Sequence, residues 1–146
     1  MFPLKLLKQR YDQHSLFLGK TTSNPKNQPK PRHCQDLKEA GDSGIGLRTV
    51  YPYDDQSIGV EVLCDQDTAG GGWTVIQQRK YIEGATSVNF YRTWAEYQGS
   101  FGNIDPDGEF WMGLDLIHHL TSNLGLQVII KLRYRLNRTA CAHSLL

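Results

Sequence analysis

Three consecutive glycines, Gly70, Gly71 and Gly72, stand directly before the run Trp73–Arg79 (WTVIQQR), and they restrict what this chain can fold into more than any other feature. Without a Cβ, glycine lets a strand begin where a bulkier residue could not approach a second backbone. Two more strand-like runs, Ile45–Tyr51 (IGLRTVY) and Ile58–Cys64 (IGVEVLC), lie upstream, separated by a Pro/Asp turn at Pro52–Asp55. Leu126–Leu132 (LQVIIKL) has the pattern of a buried strand. Helical signals are short. Gln35–Ala40 is stopped by Gly41, Phe90–Tyr97 spaces Tyr91, Trp94 and Tyr97 three apart, and Asp115–Ser122 gathers Leu116, Ile117 and Leu120 on one side. Short antiparallel strands with segregated helices predict an α+β fold, without the regular alternation of a parallel sheet.

At 146 residues the chain has room for one domain. Its charge is uneven: residues 1–33 carry a net +6, Cys34 to Leu132 a net −8, and the last fourteen residues +3. The acidic body argues against nucleic acid as the main partner, because phosphate binding rests on Lys and Arg. Thr21–Pro31 (TTSNPKNQPKP) is polar and proline-containing, with nothing apolar to bury, so residues 1–33 read as a basic leader and linker outside the fold. Within it Leu4, Leu7, Tyr11, His14 and Leu18 fall at the 3-4 spacing of a helical seam, two heptads long. Met1–Leu7 is interrupted by Lys5 and is not followed by the apolar region and small-residue cleavage site of a secretion signal. No apolar stretch approaches the ~18 residues of a membrane-spanning helix.

Several motifs resemble sites but lack the rest of the chemistry. Gly41-Asp42-Ser43-Gly44 resembles the nucleophile segment of trypsin-like proteases, yet only His14 and His33 precede Ser43, both in or beside the linker, where a base and an orienting carboxylate are needed. Asp65-x-Asp67-x-x-Gly70 starts like a calcium loop, but its twelfth position is Ile76 instead of a bidentate Glu. Asp105-Pro106-Asp107-Gly108-Glu109 fits a turn. His118 and His119 are adjacent, not the i, i+4 pair a metal would use. Asn137-Arg138-Thr139 is a glycosylation sequon, which makes Asn137 a possible acceptor. Cys34, Cys64 and Cys141 have no zinc spacing; by spacing alone Cys34 and Cys64 are equally a disulfide or two buried thiols.

One ordered series is more specific. Cys34-Gln-Asp36-Leu is followed by Thr49-Val-Tyr51-Pro52, Val60-Glu-Val-Leu-Cys64-Asp65 and Gly70-Gly-Gly-Trp73-Thr-Val-Ile-Gln77-Gln-Arg79. Then come Val88-Asn-Phe90-Tyr-Arg-Thr-Trp94, Tyr97-x-x-x-Phe101-Gly102-Asn103, Gly108-Glu109-Phe110-Trp111-x-Gly113-Leu-Asp115 and Ile117-His118-His-Leu120-Thr-Ser122. This series resembles the fibrinogen C-terminal (fibrinogen-related) domain of ficolins, tenascins, angiopoietins and fibrinogen chains, over about residues 33–132.

The resemblance implies that Cys34 and Cys64 form the family's first disulfide. It also implies an extracellular, secreted binding module without catalytic residues, which recognises protein or glycan ligands. Trp73, Trp94 and Trp111 are expected to fill the core, with Gly70, Gly71 and Gly72 as structural glycines. The family's calcium ligands and ligand pocket lie beyond the resembling stretch and match no residue here, so neither a cofactor nor a metal site is expected in this chain. Residues 34–132 are thus expected to be the N-terminal part of such a domain and 133–146 a divergent tail. A late strand pairs with the central sheet in the family, and without it Leu126–Leu132 is expected to leave an apolar edge open. A short structural form that associates with full-length relatives is the alternative, and a hydrolase built on Ser43 the remote one.

Overall fold

A computed structural model describes residues 2–9, 29–80, 86–122 and 126–133. Strand β1 (Phe2–Gln9) precedes helix α1 (Cys34–Glu39) and strands β2 (Ile45–Val50), β3 (Val60–Asp65) and β4 (Trp73–Gln78). Helix α2 (Trp94–Gln98), the two-residue strands β5 (Phe101–Gly102) and β6 (Phe110–Trp111), helix α3 (Leu114–Thr121) and strand β7 (Leu126–Arg133) follow. The result is the expected α+β class, an antiparallel sheet with short helices.

The sheet runs β2-β3-β4-β1-β7, and every ladder is antiparallel. On one edge β4 pairs first with β3, through Leu63↔Val75 and Asp65↔Trp73, and then with β6, through Gln77↔Trp111. Its other edge takes β1, with Leu6↔Val75 and Leu7↔Thr74 in register.

Strand periodicity sends alternate residues of β3 and β4 to opposite faces, and each face has a core. Val62, Cys64 and Ile76 lie with Cys34, Val50, Met112 and Leu120, covered by Leu37, Leu116 and Ile117 of the helices. Leu63, Trp73, Val75 and Phe110 make the second core, against Ile104. A strand buried on both faces reads as a continuous apolar run, which is how WTVI in β4 reads.

Helix α1 has six residues, too few to persist without tertiary support. Cys34 is joined to Cys64 with Cα atoms 5.6 Å apart, which staples α1 to β3. The Cys34 amide also donates to Thr74 Oγ1 on β4 at 3.2 Å.

Leu4, Leu7, Tyr11, His14 and Leu18 have the spacing of a helical seam but span only two heptads, fewer than a coiled coil needs, and Phe2–Gln9 is an extended strand inside the sheet; Tyr11, His14 and Leu18 lie outside the described residues. Pairing across two ladders outweighs the local 3-4 spacing, and Pro3, which lacks an N–H, stands where β1 faces β7 alone. The edge expected to stay open along Leu126–Leu132 is closed on one side, where β1 pairs with it from Phe2↔Arg133 to Gln9↔Leu126, and its other side has no partner strand among the described residues. Just before Cys34, Tyr51 N–H donates to the Pro31 carbonyl at 2.8 Å and His33 is buried.

The helix expected over Phe90–Tyr97 begins only at Trp94, after Thr93. The Thr93 hydroxyl accepts from Glu96 N–H while the Glu96 carboxylate takes Thr93 N–H, a capping box that fixes this start. Tyr91 therefore lies outside the helix, and Trp94, on its first turn, is 74% exposed instead of in the core. Trp73 and Trp111 are buried. Only Tyr97 of the aromatic triplet faces inward, 5.3 Å from the Phe101 ring and 5.4 Å from Trp111.

Candidate functional site

The polar residues that could carry chemistry are gathered at two places. The first surrounds the turn between β3 and β4. Asp65 Oδ1 accepts from the amides of Asp67 (3.0 Å) and Thr68 (2.8 Å), and its Oδ2 accepts from the Thr68 hydroxyl (2.5 Å). The calcium-loop look of Asp65 and Asp67 is thus a carboxylate closing its own turn. Beside it, the fully buried Gln66 donates from Nε2 to the Cys34 carbonyl (3.0 Å) and to Asp42 Oδ2 (3.1 Å). Its Oε1 accepts from Gly72 N–H at 2.7 Å. One glutamine ties α1, the α1–β2 turn and the glycine run together.

The glycines follow from that geometry. Gly71 has φ +74° and Gly72 φ +78°, a region L side chains rarely adopt. A Cβ on Gly71 would drive into the Gln66 carbonyl, and one on Gly72 into Gln35 Oε1. Gly70 has φ +85° but open space around it, so only its conformation calls for glycine.

The second place is the buried Glu109, just before β6. Its Oε1 accepts from Arg79 Nε (3.1 Å) and Lys80 N–H (3.0 Å), and its Oε2 from Val88 N–H (2.8 Å). Burial alone would raise the Glu109 pKa, but these donors outweigh it and hold the carboxyl below its ordinary value. Asp42 behaves alike: burial opposes ionisation, while hydrogen bonds from Arg48 (2.9 Å to Oδ2) and Gln66 bring its pKa down. Both sets clamp chain segments to one another, which is structural work.

The tempting motifs resolve similarly. Ser43 lies in the turn after α1, its carbonyl accepting from Arg48 at 3.0 Å, and its neighbour Asp42 is engaged with Arg48 and Gln66. Asp105 Oδ1 accepts from Asp107 N–H at 2.8 Å, as a turn does. The His119 ring packs edge-on against Tyr53 with centroids 4.7 Å apart. Among the described residues no group of three or more His, Cys, Asp or Glu gathers as a metal ion would need. Asn137 and Cys141 lie outside the described residues. No helix among the described residues is long and apolar enough to cross a membrane.

Five large apolar side chains are exposed among the described residues, the aliphatic Ile45, Leu47 and Ile58 and the aromatic Tyr91 and Trp94. Tyr91 is 95% exposed and Trp94 74%. Between them in sequence, Arg92 stacks over the Phe101 ring at 4.4 Å and pairs with Glu96 at 3.1 Å. Neither the exposure of Trp94 nor the parts played by Gln66 and Glu109 was anticipated from sequence. Thr93-Trp94-Ala95-Glu96 carried the capping signal; nothing local marks the other two.

Comparison with known proteins agrees with this architecture. The family described as "Fibrinogen beta and gamma chains, C-terminal globular domain" matches residues 30–144, past the Leu132 limit of the sequence resemblance. The chain is 42% identical over 116 residues to Fibrinogen C domain-containing protein 1 of Xenopus tropicalis, covering 80% of this chain and 24% of that protein. It is 35% identical over 122 residues to Tenascin-N of Mus musculus, covering 83% and 7%. Among solved structures, the fibrinogen-like globe domain of human ANGPTL6 superposes with a TM-score of 0.54 at 31% identity, covering 76% of this chain and 51% of that one. The chain therefore spans about a quarter or less of these curated relatives and about half of the solved globe.

Proposed function

Because the chain belongs to the fibrinogen C-terminal globular domain family, we propose that it serves as a recognition module of an extracellular protein, contacting protein or glycan ligands and catalysing no reaction. The observation that carries this reading is the division of its side chains. The buried carboxylates and Gln66 hold their own backbone in place, whereas Tyr91 and Trp94 stand out in solvent on either side of Arg92. Tyr, Trp and Arg are the residues that dominate protein contact surfaces, through large apolar area combined with a polar handle. A catalytic centre needs the reverse arrangement, with unengaged polar groups converging on a cleft. Contact through this face draws on the apolar area of Tyr91 and Trp94 and the Arg92 guanidinium, none of which is a calcium ligand.

The test compares the chain with a Tyr91→Ala/Trp94→Ala double variant on a panel of immobilised glycans and acetylated albumin. The reading expects capture to fall at least tenfold with the melting temperature unchanged. Equal capture by both would sink it. Labelling by a serine-reactive phosphonate, lost in Ser43→Ala, would overturn the non-enzymatic part.

A second reading, association with longer relatives, is favoured by the outer edge of β7. Among the described residues that strand pairs only with β1. Co-purification with a longer relative would support it, and a monomer that ignores the relative would not.

A further inference from the structure

The sheet is completed by a strand that is distant in sequence from everything it touches. Strand β1 separates β4 from β7, and through it alone β7 joins the sheet among the described residues. Its register is specific on both sides: Leu6 stands opposite Val75 of β4 and Ile129 of β7, and Leu7 opposite Thr74 and Val128. Residues 10–28 connect it onward to Pro29. Nineteen residues can reach at most about 60–70 Å. That exceeds the width of a domain whose radius of gyration is about 13 Å. The connection contains Asn24-Pro25 and no apolar residue from Gly19 to Gln28, so it offers little to bury against the body.

A strand that fits a slot with fixed register, and hangs on a tether long enough to leave its own body, is interchangeable between identical molecules. We propose that the slot between Trp73–Gln78 and Leu126–Arg133 is a strand-acceptor site, and that Phe2–Gln9 of a second copy of this chain occupies it by exchange. The ladder hydrogen bonds are the same whether the strand arrives from its own chain or another, so the balance is set by concentration. For a linker of nineteen residues the effective concentration of the strand of the same chain is about 1 mM. Exchange is then on the order of 1% at 10 µM and 10% at 100 µM. Leu126–Arg133 depends on β1 for its pairing, so exchange couples the two copies through the core of the sheet and not through a rim.

Cross-linking tests this in full-length chains carrying Cys141→Ser. The pair Lys5↔Ile130 supplies the positions. One population carries Lys5→Cys and the other Ile130→Cys; they are mixed, unfolded, refolded together at 10 and 100 µM and oxidised. The proposal expects a heterodimer on non-reducing gels whose yield rises about tenfold between the two concentrations. A chain carrying both substitutions should cross-link internally at the lower concentration, which shows that the slot is filled. An internal cross-link without any heterodimer at either concentration would overturn exchange. Absence of the internal cross-link would overturn the slot itself.

Discussion

Opening the Cys34–Cys64 bond should cost this fold more than any other covalent change within the described residues. The bond closes a loop of 30 residues. In the chain-entropy account such a loop contributes about 3.6 kcal/mol, by restricting the unfolded chain. A folded body of about 100 residues shifts its midpoint by roughly 4–8 °C per kcal/mol, so Tm should fall by about 15–30 °C. The loss should be uneven. Helix α1 is fixed to β3 by this bond, to β4 by the Cys34 amide and to Gln66 by the Cys34 carbonyl. Six helical residues have almost no stability of their own, so α1 should open first. The assay is thermal unfolding by circular dichroism of Cys141→Ser, oxidised or refolded under reductant, with Cys34→Ala/Cys64→Ala as the irreversible counterpart. Amide exchange of residues 34–39 follows α1 directly. A Tm change below ~3 °C, or α1 amides equally protected in both forms, would show that the loop and the staple do not hold this half of the sheet.

Other outcomes follow from single positions. Trp73→Ala should lose about 3–5 kcal/mol in urea denaturation, because its ring is fully buried, whereas Trp94→Ala should stay within about 0.5 kcal/mol. Gly71→Ala, forced against the Gln66 carbonyl at φ +74°, should cost more than about 2 kcal/mol by the same assay, while Gly41→Ala, with open space around it, should show only the backbone strain of about 1 kcal/mol. Glu109→Ala removes three hydrogen bonds to a buried charge and should cost about 3 kcal/mol, with faster amide exchange at Lys80 and Val88. His33 caps α1 with its Nδ1 accepting from Asp36 N–H, and burial, opposed by Asp36 and Glu39, lowers its pKa below 6.5. The unfolded chain therefore binds the proton more readily than the folded one, so stability should be full above pH 6.5 and decline as pH falls below it, a slope that His33→Asn should remove.

The parts of this fold that could be read in sequence are those whose signal is local. The WTVI run of β4, the alternation of β2 and β3 and the glycine run announce themselves, and the ordered series from Cys34 to Ser122 added the family. Phe2–Gln9 could not be read this way, because Leu4 and Leu7 suit a helix and only pairing with residues 74–77 and 126–133 makes the segment a strand. Trp94 was misplaced because aromatics three apart form one stripe only if the helix begins before the first, and the Thr93 cap begins it later. Gln66 and Glu109 look like ordinary surface residues. Their partners lie up to 32 and 30 residues away, so their burial follows from tertiary contacts alone.

Recognition through a calcium-independent contact face is tested by titration calorimetry of the full chain. Calcium is titrated first, and then whichever ligand the immobilised panel retains, in calcium and in EDTA. Saturable calcium heat should be absent, and ligand affinity should be the same in both buffers. Stoichiometric calcium binding, with ligand affinity that disappears in EDTA, would contradict it.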